Sequence, residues 1–398
     1  MEPLSWGAIA ARILLQFLPV WIALAATFGL SWVYRAKLGL YGKLFDNRIG
    51  LIGLFLTLFW VYTALAAGLF DWIATHDPLT AVSGMKNKVP GTPLRGAEDG
   101  DFPYYLLGGD GLARDVFSRM VAGSWIVVQI APLATLFAFM AGITLGLPAG
   151  YFGGRLDSVL TFAANLILAF PVILLFYLLV TPEIVASGLP AYLSAGLFLL
   201  PLVFLGLLIN ARARTNPRRR WMLLAVMLLP LGWAYLSLIS AQGSALDLLP
   251  AALDLFDVPG GILVVFVSVI FVNAPTVFRL TRGLTLDLKT RDYVAAAQTR
   301  GEGPWYIMLW EILPNARGPL IVDFCLRIGY TTILLGTLGF FGLGLPPDSP
   351  DWGTTINAGR KLLSIFPHPA IAPAVALLSL VLGLNLLADG LREESLKD

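Results

Sequence analysis

The chain is 398 residues long, 57% hydrophobic and only 13% charged, with a formal net charge of +2 and a mean hydropathy of +0.78. That balance excludes an ordinary soluble domain and marks an integral membrane protein, with lipid rather than nucleic acid as its surroundings. The apolar stretches are too long and unbroken for barrel strands and lack their alternating pattern. The expected fold class is therefore all-α, a polytopic transmembrane helical bundle in which each backbone polar group is satisfied within its own helix.

A span needs about 20 mostly apolar residues, and such segments fall at roughly 13–34, 49–74, 124–150, 156–180, 187–209, 221–240, 261–279, 319–343 and 370–390. The first lacks the basic start and small-residue cleavage site of a signal peptide and is followed by Arg35 and Lys37, so it is read as membrane structure. Two loops, 75–123 and 345–369, are long enough to meet something soluble. The first contains TAVSGMKNKVPGTPLRGAEDGD and then LLGGDGLARDVFSRM; the second contains LPPDSPDWGTTINAGRKLL, where the prolines, Asp348, Asp351 and Trp352 point to a structured cap. On composition alone both also fit solvated connections. In the span at 319–343, Asp323 and Arg327 lie four residues apart on one helix face, either an internal ion pair or part of a substrate path. The single cysteine, Cys325, permits no intrachain disulfide and reads as a small apolar packer. His76 and His368 stand apart from other candidate ligands and receive no metal or catalytic role.

Short basic loops stay in the cytoplasm, and the bases cluster in three places. Arg35, Lys37, Lys43 and Arg48 precede the second span; Arg212, Arg214, Arg218, Arg219 and Arg220 form another loop; Arg279, Arg282, Lys289, Arg291, Arg300 and Arg317 surround a polar break at 290–319. The loop at 241–260 instead carries Asp247, Asp254 and Asp257 without a base. Alternation through nine spans places all three basic clusters inside, the acidic loop outside, and the tail with Arg392 and Lys397 inside. An even count breaks this parity unless the first segment lies flat on the membrane.

The polar break reads TRDYVAAAQTRGEGPWYIMLWEILPNARGP. Thr290 can cap a helix, Asp292 sits in the first turn where the helix dipole favours an anion, and Gly301 after Arg300 supplies a stop, predicting about three turns. Ala295, Ala296 and Ala297 are small enough for close approach of a partner, with Tyr293 and Val294 as apolar anchors toward its groove. Pro304 starts a second helical stretch, Trp305, Tyr306 and Trp310 suit headgroup level, and Pro314 limits its continuation. These features fit a docking element and an amphipathic loop lying on the membrane equally well.

The segment AAAQTRGEGPWYIMLWEILP resembles the signature loop of ABC-transporter permease subunits, Glu-Ala-Ala, three residues, Gly, then Ile-x-Leu-Pro, with Ala296, Ala297, Gly301, Ile312, Leu313 and Pro314 in register. The resemblance implies a coupling loop, from Tyr293 through Glu302 to Pro314, seated in a cleft of a cytoplasmic ATPase subunit. Ala295 stands where the pattern has Glu. Other stretches are similar to the C-type permease of dipeptide and oligopeptide importers: LLGGDGLARDVFSRMVAGS, with Asp110, Arg114, Asp115, Ser118 and Arg119; GLPAGYFGGRLDSVL; LAFP at Leu168 to Pro171; FFGLGLPP from Phe340; DWG at Asp351; and NLLADGLRE. Together they cover most of 43–180 and 261–394.

The implied organisation is an extra N-terminal span within 1–42, the first core span and a periplasmic loop over 43–123, and a permease core over 124–394 with an inserted helical hairpin at about 185–245 and a coupling loop at 290–317. Removing the three extra spans leaves the six of the family. Asp110, Arg114, Asp115, Asp348, Asp351 and Trp352 become candidates for contact with a periplasmic binding protein. The Arg cluster near 212–220 reads as an anchor on anionic lipid or a contact with a partner. No Gly-x-x-x-x-Gly-Lys-Ser/Thr loop, His-Glu-x-x-His or Gly-x-Ser-x-Gly stretch occurs, so the chain is expected to be non-catalytic, without a metal or cofactor of its own. The resemblance assigns ATP and Mg to one or two partner ATPases and pairs the chain with a B-type permease in a bacterial inner membrane. Delivery of peptides or related solutes by the binding protein is the expected function. An ion-driven secondary transporter, which would show inverted repeats and broken helices, and an importer of nickel chelates, opines or glycosides are the alternatives.

Overall fold

The computed structural model describes residues 2–395 except 98–99, 213–215, 241–245, 247–248, 251–252, 256–259, 344–345 and 347, and omits the side chains at 260 and 261. Arg214, Asp247, Asp257, Lys397 and part of the FFGLGLPP stretch lie outside the described residues. The elements in order are α1 (Trp6–Gln16), α2 (Leu18–Tyr34), α3 (Gly39–Lys43), α4 (Arg48–Gly68), a two-stranded antiparallel pair of β1 (Thr92–Pro93) and β2 (Tyr104–Tyr105), α5 (Val116–Phe152), α6 (Gly154–Leu168), α7 (Val172–Val180), α8 (Pro182–Ala186), α9 (Leu189–Arg212) and α10 (Pro217–Ile239). Then follow α11 (Gly260–Leu288), α12 (Asp292–Thr299), α13 (Pro304–Tyr306), a π-helical turn at Ile307–Ile312, α14 (Leu313–Asn315), α15 (Arg317–Phe340), α16 (Trp352–Arg360) and α17 (His368–Ser395).

Seven helices are each long and apolar enough to cross a membrane, and two bent pairs bring the number to as many as nine among the described residues. The helical bundle is as expected, but two predicted spans are not straight. The first bends by 55° between α1 and α2, and the fourth by 85° between α6 and α7. Proline explains both sites. Pro19 removes a donor from the first turn of α2, and Pro171, between α6 and α7, cannot donate and pushes Phe170 away from helical geometry.

The chain forms two compact units, residues 1–132 with 325–398, and 133–324. In the first, α4 packs along α17, where Gly53 faces the backbone at Leu387 and Gly50 lies against Gly390. Trp60 Nε1 donates to Ser379 Oγ at 2.8 Å, and Asn47 Nδ2 to Glu393 Oε2 at 2.6 Å. An aromatic and aliphatic cluster around Phe17, Leu24, Ile73, Leu106 and Phe117 joins α1 and α2 to the 75–123 loop. Leu4 N donates to Gly91 O at 3.0 Å, Gln16 Nε2 to Ile73 O at 2.9 Å, and Arg12 lies 4.6 Å above the Tyr104 ring. The N-terminal extension is thus built onto that loop.

In the second unit, Gly142, Gly146 and Gly150 recur every four residues and present one bare face of α5 to α11. A Cβ at Gly142 would meet Val277 Cβ at 2.6 Å, one at Gly146 would meet Phe278 O at 2.9 Å, and one at Gly150 would meet Thr285 Cβ at 2.7 Å. Small residues at such a crossing allow the close contact that drives helix association in lipid. Arg282 on α11 pairs with Asp157 on α6, Nη2 to Oδ2 at 2.6 Å, and α11 also packs on α7 and α9. Gly146→Leu should force the two backbones apart and cost about 1–3 kcal/mol or more. The expected result is a lower melting temperature of the detergent-purified protein, and an unchanged one would contradict this crossing.

Candidate functional site

The 290–317 segment belongs entirely to the second unit. An isolated helix of eight residues is not stable in water, so α12 must be held by what surrounds it. Val294 and Ala297 are fully buried, in one cluster with Ile307, Met308, Leu309, Ile312, Ala316 and Leu320. Burying one Val contributes roughly 1.5–3 kcal/mol. Its C-terminus is closed by a Schellman arrangement: Glu302 N donates to Ala297 O at 3.2 Å and Gly301 N to Gln298 O at 2.9 Å, with Gly301 at φ +77°. Arg300 Nη2 donates to Glu311 Oε1 at 2.7 Å, tying this end to the following stretch. At the other end, Lys289 Nζ donates to Gly150 O at 2.8 Å, so the approach to α12 is fixed on the last turn of α5.

Four details differ from the sequence reading. The cap residue is Arg291, without a side-chain cap bond, and Thr290 Oγ1 instead donates back to Asp287 O at 2.9 Å. Val294 and Ala297 point into the protein's own core, not toward a partner, because the i, i+3 spacing puts them on one face. Tyr293 packs on that same cluster, and burial lifts its phenol above the ordinary value. Pro314 does not stop the second stretch, which runs from Pro304 to Asn315 through the π-helical turn. A proline in the first turn of α14 costs no bond that a helix start would make, and Asn315 Nδ2 donates to Glu311 O at 2.6 Å where the ladder is interrupted. α12 exposes Asp292, Ala295, Ala296 and Thr299, spaced i, i+3, i+4 and i+7, with Gln298 exposed beside them. Ile312 is buried, Leu313 half-buried and Pro314 exposed, while Glu302 is half-buried.

The second set of predicted residues lies in the first unit. Asp110 Oδ1 accepts from Leu112 N at 2.8 Å and Arg114 N at 2.9 Å, and its Oδ2 from Arg114 Nε at 2.8 Å. Asp115 caps α5. Its Oδ2 accepts from Ser118 Oγ at 2.6 Å, Ser118 N at 3.1 Å and Thr75 Oγ1 at 2.8 Å, and lies 3.3 Å from His76 Nδ1. Asp351 caps α16 by accepting from Thr354 N at 2.9 Å; burial raises its carboxyl above the usual range, against the Thr354 bonds and the Arg119 charge that lower it. Trp352 Nε1 donates to Met120 O at 2.8 Å. These five side chains are buried, so they shape the loops from within, and Asp348, with 85% of its side chain exposed, is the one that presents itself outward.

Arg119, which matches the motif, also joins the two long loops, alongside the Trp352 bond to Met120 O. It is fully buried, and its guanidinium donates to Pro78 O at 3.1 Å, Asp348 O at 3.3 Å, Ser349 O at 2.7 Å and Thr355 Oγ1 at 3.3 Å. Three of its four acceptors are backbone carbonyls, and three lie 229 or more residues away, which no local spacing discloses. His76 likewise has a structural place, its Nε2 donating to Phe102 O at 2.9 Å. Asp323 and Arg327 sit half-buried on α15. Among the described residues no group of three or more His, Cys, Asp or Glu is arranged to hold a metal.

A bundle of apolar spans carrying an anchored helix, α12, outside them is an architecture compatible with a transport subunit. Residues 142–393 match the family described as the binding-protein-dependent transport system inner membrane component, and the chain belongs to that family. It is 29% identical over 295 residues to a glutathione transport system permease protein of Pectobacterium atrosepticum, covering 74% of this chain and 73% of that one. It is 28% identical over 348 residues, 87% and 90% of the two chains, to a dipeptide transport system permease protein of Haemophilus influenzae. A di/tripeptide transport system permease protein of Pseudomonas aeruginosa is 27% identical over 364 residues, 91% and 93%. The chain is thus a multi-pass permease subunit of an ABC importer.

Asp115→Ala should strip partners from Thr75, His76 and Ser118 at once, leaving buried donors that cost about 1–3 kcal/mol each. Limited proteolysis is expected to cut within 77–103 far faster in the variant. Equal cleavage rates would show that this carboxylate does not hold the loop.

Proposed function

We propose that this permease imports peptides or related small solutes, in the role of the C-type subunit of a heterodimer with a B-type permease. One or two cytoplasmic ATPase subunits bind ATP and Mg and supply the energy; a periplasmic binding protein delivers the solute to the loops at 75–123 and 345–369. The peptide class is supported by the peptide and glutathione systems in which the relatives act. The orientation is supported by charge parity, which puts the 290–317 segment and the C-terminus in the cytoplasm of a bacterial inner membrane.

The observation that carries the coupling role is the two-sidedness of α12. Its inner face, Val294 and Ala297, is locked into the core, and its outer face offers Ala295 and Ala296 with Asp292 and Thr299 at the edges. A partner can approach such a face closely, and a push on it is carried directly into the packed turns at 307–316. ATP-driven closure of the ATPase pair then tilts the bundle between inward-facing and outward-facing states, a transition between discrete packings. Asp348 and the surface framed by Asp110, Arg114, Asp115, Asp351 and Trp352 receive the binding protein, and the Asp323–Arg327 face of α15 contributes to the substrate path.

Ala296→Trp leaves the internal packing untouched because the side chain is exposed, and should abolish co-purification of the ATPase subunits. Retained co-purification would sink the coupling assignment. Ala295→Glu, which restores the acidic residue of the family pattern, is expected to keep or strengthen the association.

A further inference from the structure

The hairpin of α9 and α10 falls where the sequence resemblance implies an insertion, and α9 does more than meet lipid. Phe204, Leu207, Leu208 and Ala211 follow the i, i+3, i+4, i+7 spacing of a single helical face. All four belong to the hydrophobic cluster that buries Val294, Ala297, Ile307, Met308, Leu309 and Ile312, and α9 touches the turn at Pro304–Tyr306 directly. One residue beyond the stripe, the Arg212 guanidinium lies 4.7 Å from the centre of the Trp310 ring. Trp310 is half-buried against the same cluster, and its Nε1 is buried without a hydrogen-bond partner among the described residues, so the ring is held by its faces. The lipid-facing positions Leu199 and Val203 of α9 are exposed by contrast.

We propose that the inserted hairpin is a brace for the coupling element: α9 is packed to the 292–316 segment as one body and moves with it, and Arg212 is a positioning residue that sets the π-helical turn through Trp310. Because the C-terminal end of α9 meets the 292–316 segment and the helix runs the length of a span, a displacement of α12 is delivered to a helix that the sequence reading assigns to the insertion. The insertion therefore stiffens the element on which the ATPase acts. This rests on the coupling role of α12 proposed above.

The test uses the whole complex of both permeases and the ATPase subunits, reconstituted in vesicles, with ATP hydrolysis per assembled complex, ATPase occupancy and melting temperature as readouts. Arg212→Ala should lower turnover about two- to fivefold, the size expected of one cation–π contact, at unchanged melting temperature, and Trp310→Leu, which also loses ring packing on the cluster, should lower turnover at least as much. The double variant should be no worse than Trp310→Leu alone, since the Arg212 contact is already gone there. Arg212→Lys and Trp310→Phe, which keep a cation and a ring, should restore turnover. Loss of ATPase occupancy from a permease of unchanged melting temperature also supports the brace, because the docking face is then misplaced. Wild-type turnover in Arg212→Ala, or a lowered melting temperature with unchanged turnover, overturns it. Either result leaves the docking role standing, since that role fails separately if Ala296→Trp keeps its ATPase.

Discussion

In lipid the tails are as apolar as the helices, so spans are held by how closely their backbones can approach and by the few polar contacts they share. The stripe of Gly142, Gly146 and Gly150 against α11 is where the second unit depends most on that rule. It brings α11 close enough for Lys289 to reach Gly150 O at the end of α5 and for Arg282 to pair with Asp157. The entry to α12 is therefore fixed by a crossing well before it in the chain. A short helix of low intrinsic stability is thereby anchored at its N-terminal approach.

The two candidate regions solve opposite problems. At α12 a short helix is held by turning Val294 and Ala297 into the core while Ala295 and Ala296 face outward. In the 75–123 and 345–369 loops the requirement is a firm shape from Gly- and Pro-rich chain, and there charged side chains are turned inward. Burying a carboxylate is tolerable only when its lone pairs are filled. Asp110 meets that condition with backbone amides and the Arg114 guanidinium, Asp115 with Ser118 and Thr75, while the Arg119 terminal nitrogens reach carbonyls of both loops and its Nε has no partner among the described residues.

Much of this was legible from residues alone. The number and type of spans follow from runs of apolar residues, and the coupling segment stood out as a break in them followed by Gly301 and Pro304. Less legible was which way each residue of α12 faces. Tyr293, Val294 and Ala297 look like partner contacts when the helix is read by itself, because a sequence shows an amphipathic pattern without saying which face is covered by the same chain. Asp110, Asp115, Asp351 and Trp352 are buried, which the loop sequence does not show, for a related reason. Acidic and aromatic residues in a polar loop read as exposed until their hydrogen-bond partners are placed.

What the sequence determined by itself is the membrane class, the helical type of every span and the family, since these rest on local composition, period and motif, which survive without knowledge of distant contacts. Tertiary structure alone decided the bends at Phe17 and Phe170, the outward face of α12, the role of Arg119 between two loops and the seat of α9 on the 292–316 segment. Each depends on groups tens to hundreds of residues apart, or on the balance between a proline's missing donor and the packing that surrounds it. Local pattern carries no trace of such a balance.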